Sequence, residues 1–440
     1  MSSDRLTQSL HATADRAREY VSTDRLLQVV TGLVDIASPT GGEAPLAAHI
    51  AEQLGKAGIQ SGMQPLDESQ ANAWGRISGT GSGADLLLYA PIDTLTSGTE
   101  DEDLPWIGPE LRPDMRPAAR HDGHYVTGLG AGNPKGHAAC ILMVAEAISA
   151  AGLELAGNLL LGFGAGGMPT NALPGSARQG TGQGRGCAYL LEQGMCPDYA
   201  VIAKPGWAVS WEEVGLAWFE VTVHGTHTYV GSRHRLPYSN CIESAGRVVQ
   251  ALEAWFPEYA LAHADERISP QGVVASIEAG WPRMAAVTPA LCRFMVDLRL
   301  SPHTSPAAAA REFGQVIDRI RTQIPGTKIT WTRRLSIPGT ATDPHSWIVR
   351  SAVSCWERSE GHSHIAAEGT SGATDANILR MWGIPTVRIG MPKITDAPFD
   401  VDFSLGMNLV DLREMERLSR YLIGVAVDTL GRSCRELDTA

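Results

Sequence analysis

"LLLYAPIDTLTSG", residues 86–98, is an apolar run broken off by Pro91, Asp93 and Thr94. Its length suits a buried strand, falls well short of a membrane span, and is bounded by turn formers. In a parallel α/β sheet, the C-terminal tip of such a strand is where ligands and chemistry are placed. Asp93 is the one carboxylate at that tip, two residues beyond a proline.

Outward from this strand the pattern repeats. "SPTGGEAPLAAHIAEQLGKAG" (38–58) reads as a turn and an amphipathic helix closed by Gly58, after a helical stretch over 4–36. Residues 96–125 read as a long polar loop, and "KGHAACILMVAEAISAAG" (135–152) as a buried helix opening just after Asn133 and Pro134. "GNLLLGFGAG" (157–166) and "DYAVIAKPG" (198–206) are two more short apolar strands, the second ending at Lys204. Between them, the Gly-rich loop 167–186 has a length more often found in functional loops. Its "GTGQGRG" (180–186) lacks the Lys-Ser/Thr of a phosphate cradle, so a flexible lid is the expectation there.

The texture changes near residue 209. "WFEVTVHG" (218–225) and "LCRFMVDLRLSP" (291–302) alternate as half-exposed strands, and "KITWTRR" (328–334) is another strand. Helices at 239–256 and 305–324 separate them, which describes a small α+β domain. After about 335 the βα style returns: a helix at 344–360, the strand "PTVRIGM" (385–391) and a final helix at 411–431. The expected architecture is a discontinuous α/β domain, 1–208 and 333–440, with an α+β domain inserted at 209–332. A chain of 440 residues is long enough for two domains.

A net charge of −12 disfavours nucleic acid or an anionic membrane as the main partner. The first residues carry no apolar signal core, and no stretch is apolar for long enough to span a membrane. Seven scattered Cys without a CxxC pair suggest reduced thiols in a cytoplasm.

The order of segments resembles the aminoacylase, desuccinylase and glutamate-carboxypeptidase family of co-catalytic zinc hydrolases. "SPTGGEAPLAAHIAEQL" is similar to that family's opening turn and helix, and "LLLYAPIDTL" to its strand ending in Gly-His-x-Asp. "VTGLGAGNPKGHAACILMVAEAI" resembles the Gly-x-Gly-x-x-Asp-x-Lys-Gly helix start, "LLLGFGAGGMP" the strand ending in Glu-Glu, and "VIAKPG" the strand ending in an acid before Pro. "VTPALCRFMVDLRLSP", "GTSGATDAN" and "GIPTVRIGMP" match later landmarks. The resemblance implies a zinc-peptidase-like α/β sandwich with an inserted lid and dimerisation domain, and a homodimer paired through that domain.

The ligands do not carry over. Two zinc ions would need two His and three acids. At the resembling positions stand Pro91, Asn133, Gly166 and Gly167 for the Glu pair, Lys204, and Phe403 or Ser404. Only Asp93 survives, in the place of a residue that orients a ligand rather than binding metal. No metal or other cofactor is therefore expected. Rival ligand pairs, His121 with His124 and His362 with His364, lack a convergent carboxylate and read as solvated loops.

The expected chemistry is that of a metal-independent enzyme acting on an amide or related C–N or C–O bond of a small carboxylated molecule, by hydrolysis, its reverse, or elimination. The alternative is a non-catalytic relative that binds a ligand or partner. Lys204 is either a solvated lysine or an ammonium standing where a metal charge would be, able to act as acid, base or amine nucleophile. Asp93 either caps its turn or forms an ion pair with Lys204 in the vacated cavity. Asn133 and Lys135 precede a helix start that favours anions, while His137 reads as packed or capping. The resemblance adds Tyr229, at the position of a His that reaches an active site across a dimer, with His227 two residues earlier. It also adds Asn240, Arg299 and Asp375 as substrate-binding residues. Arg299 has a structural rival role in pairing with Asp297, and Asp375 as a helix N-cap.

Overall fold

The computed structural model describes residues 3–173 and 180–439. Residues 174–179 of the Gly-rich loop, part of the expected lid, lie outside them. The chain forms two compact units. The first comprises 1–211, 342–366 and 374–440, and the second 212–341 and 367–373.

The first unit is built on a six-stranded sheet. Its order is Gln60–Pro65, Ala71–Ile77, Leu159–Gly164, Leu86–Pro91, Tyr199–Ala203 and Thr386–Ile389. The last four run parallel, with Pro91 opposite Gly164, Tyr89 opposite Ile202 and Ala203 opposite Ile389. The two outer strands at the other side are antiparallel. Parallel strands covered on both faces read as unbroken apolar runs. All six residues of Leu86–Pro91 and of Leu159–Gly164 are accordingly buried.

Side chains alternate between the faces. Leu86, Leu88, Ala90, Leu161 and Phe163 join a core with the helices Thr23–Val34, Ala44–Lys56, Gly136–Ala150 and Leu412–Leu430. Leu87, Tyr89 and Leu160 pack on the opposite side with Cys187, Leu190 and Leu379 from the helices Arg185–Glu192 and Ala376–Met381. This is a sheet sandwiched between helices, a mixed α/β fold. Lys135 is fully buried and its Nζ donates to the carbonyls of Ile36 (2.7 Å) and Val34 (3.5 Å), closing the C-terminal end of the Thr23–Val34 helix.

The second unit is an antiparallel sheet in the order Gly272–Ala279, Leu291–Leu300, Gly215–His224, Lys328–Ile337. The helices Cys241–His263 and Pro306–Gln323 share its core, where Phe219 stacks on Phe313 with centroids 4.2 Å apart.

Several details differ from the sequence reading. The strands Gln60–Pro65, Ala71–Ile77 and Gly272–Ala279 have weak or mixed alternation and were not among those expected. Part of the expected loop after the first strand is the short helix Glu100–Ile107. Residues 367–373 join the second unit because Thr370 is bonded to Arg267 and Ser269. The segment around "WFEVTVHG" is no free edge for a partner, since its strand is paired on both sides. The edges are Gly272–Ala279 and Lys328–Ile337.

Candidate active site

Because the last four strands of the first unit's sheet are parallel, their C-terminal tips lie at one end of the sheet, and three of them bring Asp93, Gly166, Gly167 and Lys204 together. Asp93 is completely buried. One oxygen accepts the backbone N–H of Gly167 (2.7 Å), and the other accepts the N–H of Met168 (3.0 Å) and the hydroxyl of Thr40 (2.6 Å). Burial pushes its carboxyl up from the ordinary value. The Thr40, Met168 and Gly167 hydrogen bonds and the charge of Lys204 oppose that rise.

Lys204, also buried, donates from Nζ to Asn133 Oδ1 at 3.3 Å and approaches Met168 Sδ at 3.7 Å. Gly167, Met168 and Thr40 hold the Asp93 oxygens, the Lys204 charge acts on Asp93, and Met168 touches both. His137 accepts the Met391 N–H on Nε2 (3.3 Å). Burial, then the Lys204 charge, lowers it to about 3, so it is a neutral packed histidine at physiological pH.

Glu43 was missed by sequence reasoning, which took it only as part of a helix start. It is wholly buried, and Oε1 accepts the N–H groups of Gly41 (3.0 Å) and Gly166 (2.8 Å) and the Gln70 amide (3.3 Å). Burial and then the negative charge of Asp93 push its carboxyl up to about 8. Three successive N–H groups, of residues 166, 167 and 168, are thereby spent on two buried acids. Tyr89, hidden in the apolar strand, donates to Asp375 at 2.5 Å. Asp375 is buried and begins the helix Ala376–Met381 without a side-chain cap, so the expected N-cap bond gives way to the Tyr89 contact.

The other expected residues lie in the second unit. His227 is exposed, with Nδ1 3.0 Å from the Thr288 carbonyl oxygen, and Tyr229 is 58% exposed on a short pairing with Val287. Asn240 caps the Cys241–His263 helix, accepting the Ile242 N–H at 3.0 Å. Arg299 pairs with Asp297 at 2.9 Å, the structural role weighed for it. His227 and Asn240 lie near the sheet end where His224 faces Leu291, because Thr226 is bonded to Ser239. Arg299 faces Leu216 eight residues along, about 26 Å away at ~3.3 Å per residue. Within this unit the four do not form one cluster.

The residues at the strand tips do not fit a pair of zinc ions. Pro and Gly offer no side-chain donor, and an ammonium repels a dication. Gly166 has φ +61°, and a Cβ on it would run into the Thr181 carbonyl; one on Gly167 would run into Pro91 and lie 2.8 Å from the Asp375 carboxylate. Among the described residues, no three His, Cys, Asp or Glu side chains gather as a metal site. The rival histidines are used elsewhere. His121 is bonded to the Gly123 carbonyl, and His362 and His364 pack edge-on against Trp356. His364, half-buried, also accepts the Val209 N–H, so it is not a solvated loop residue.

A cavity of about 160 Å³ opens beside the tips, bordered by Thr94, Leu129, Asn133, Phe403, Ser404 and Met407 among others. The Phe403 and Ser404 positions, where the resemblance places a final His, are thus on its wall.

No family model matches the chain. The fold is that of solved peptidases. The aminopeptidase PepT from Bacillus cereus is 13% identical with a TM-score of 0.64, covering 93% of this chain and 99% of that one. Human carnosine dipeptidase 1 is 13% identical with a TM-score of 0.69, over 95% and 98%. The Bacillus subtilis YXEP protein, described as a dinuclear metal binding peptidase from the M20 family, is 16% identical with a TM-score of 0.60, over 93% and 98%. At such identities the likeness is one of fold.

Two outcomes follow from this geometry. Restoring the acids with Gly166→Glu and Gly167→Glu should destabilise the protein by at least about 2 kcal/mol, since a non-glycine residue is forced into left-handed backbone against a carbonyl. Denaturant unfolding reads this, and the variant should gain no zinc by elemental analysis. For Glu43, the folded state keeps a proton between the ordinary carboxylate value of 4.5 and about 8 that the unfolded chain has lost, so the unfolded chain is favoured increasingly and stability falls as pH rises through that window. Glu43→Gln should therefore show a smaller fall in melting temperature from pH 5 to pH 8 than the wild type, by roughly 2–5 °C.

Proposed function

We propose that this protein is a metal-independent enzyme on an amidohydrolase-type scaffold, acting on an amide or related C–N or C–O bond of a small carboxylated molecule. The observation that carries the reading is the buried Lys204 ammonium, bonded to Asn133 at the end of the sheet where a metallopeptidase fold would hold its ions. A fixed positive charge in a water-poor site is suited to stabilise the negative charge that develops on a carbonyl oxygen. Asp93 supplies the compensating negative charge, Asn133 lines the cavity beside it, and Asp375 serves as a further substrate-binding residue. His227 and Tyr229 complete the catalytic set, and Arg299 of one copy of the chain and Asn240 of another bind the substrate; Arg299 has the planar fork for a carboxylate.

His227 and Asn240 lie at the opposite end of the second unit's sheet from Arg299, which favours a site completed by a second copy of the chain. The edge strand Gly272–Ala279 exposes Val273 (47%) and Ile277 (58%), an apolar edge of the kind that pairs with another strand. We therefore propose a homodimer formed through the inserted domain, in a cytoplasmic setting. The rival reading, a non-catalytic ligand binder, is favoured by one observation: the Asp93 oxygens already accept three hydrogen bonds from the protein.

A panel of N-acyl amino acids and other carboxylated amides, assayed by mass spectrometry with and without chelator, tests the enzyme reading. Turnover should survive the chelator, and Lys204→Met should reduce it by at least about 100-fold, the scale of losing one charge-stabilising donor. Turnover that needs added zinc, or that persists in Lys204→Met, would refute it. Sedimentation at micromolar concentration should give twice the chain mass, and Ile277→Lys should shift it to the monomer.

A further inference from the structure

The cavity at the strand tips is chemically lopsided. Leu95, Ile107, Met115, Leu129, Phe403 and Met407 make half of its lining residues, and among the described residues no charged side chain lines it. Its polar residues are largely occupied by the protein itself. Thr94 donates its hydroxyl to the Thr96 carbonyl at 2.8 Å. Asn408 accepts the Gly130 N–H at 2.9 Å and donates to Asp114 at 3.2 Å.

Asn133 adds a donor to that wall. Its oxygen accepts from Lys204, while among the described residues its amide nitrogen meets the Met407 sulfur at 3.5 Å. A thioether is a weak acceptor, so this N–H₂ retains donor capacity for a better one. The space thus has a polar side made by Asn133, backed by the Lys204 ammonium, with the Thr96 and Ser404 hydroxyls also on the wall, and a largely apolar remainder.

We infer that this cavity is a side-group pocket that takes an uncharged, isobutyl- to phenyl-sized substituent of the substrate, next to a carbonyl bound by the Asn133 amide. The inference rests on the proposed function for its view of that carbonyl as the reacting one. Size supports it: an apolar cavity of about 150 Å³ is known to accept benzene, and this one is about 160 Å³. A charged substituent would be stripped of water with no counter-ion on the wall. A methyl group would leave most of the apolar wall uncovered, and each methylene buried there strengthens binding roughly fourfold. Phe403, 78% exposed, stands at the mouth where it can close over a bound group.

Calorimetry on the full-length protein with phenylacetamide, 3-methylbutanamide, acetamide and the cationic 6-aminohexanamide tests this. The first two should bind at least tenfold more tightly than acetamide, and the charged amide no better than acetamide. Leu129→Trp, which fills the pocket, should weaken phenylacetamide at least tenfold. A tryptophan there can disturb folding, so Phe403→Ala, at an exposed side chain, gives the second measurement; it should weaken phenylacetamide at least threefold and leave acetamide unchanged. A charged amide binding as tightly as phenylacetamide, or phenylacetamide affinity unchanged in Phe403→Ala, overturns the inference. Selective phenylacetamide binding in a protein that turns over no amide would end the catalytic proposal and leave the pocket. Lys204-dependent turnover without that selectivity would do the reverse.

Discussion

The Asp93 carboxylate ties together the part of the molecule on which everything else depends. Through Thr40 it holds the turn before the Ala44–Lys56 helix, and through the N–H groups of Gly167 and Met168 it holds the turn at the tip of the neighbouring strand. Three segments distant in sequence are thus fixed around one buried charge. A buried carboxylate is tolerable only when its lone pairs are satisfied, and here backbone and hydroxyl donors do that work beside a cation. Glu43 repeats the arrangement one residue earlier on the same turn.

That arrangement bears on what the site can be. In a co-catalytic zinc hydrolase the corresponding turn would carry acids pointing at metal; here the backbone of the turn points at acids instead. The glycines are required by this geometry, because Gly166 adopts left-handed backbone and Gly167 is wedged between Pro91 and Asp375. The turn acts here through main-chain donors. Lys204 follows the same logic, presenting a fixed cation on the tip of the adjacent parallel strand. The Lys204 ammonium favours the charged form of Asp93, while Glu43 beside them keeps its proton up to about 8.

Much of the fold was legible because it rests on local patterns. The apolar strands at 86–91, 159–164 and 199–203 and the helix at 136–150 carry their periodicity in consecutive residues. The change in strand texture near 209 and its reversal near 335 lie close to the unit bounds at 212 and 342. What escaped were elements whose partners are remote. Gly272–Ala279 is an edge strand with little burial to shape its composition, and residues 367–373 belong to the second unit only through hydrogen bonds to Arg267 and Ser269.

The same division runs through the site. Sequence alone marked Asp93, Asn133 and Lys204, since a charged or polar residue that ends an apolar strand or opens a buried helix breaks a pattern. Residue identity also determines donor chemistry, so Pro91, Gly166 and Gly167 offer no side-chain ligand. Sequence alone left Glu43, Thr40, Met168 and Tyr89 unremarked, because nothing in their own neighbourhood signals a long-range partner. Whether Asp93 met an ammonium or a row of N–H groups, and whether Asp375 capped its helix or accepted from Tyr89, was decided only by the tertiary structure. Hydrogen bonding inside a core depends on distance and direction to within a few tenths of an ångström. Those quantities are set when parallel strands come into register, a property of the assembled sheet that no single segment contains.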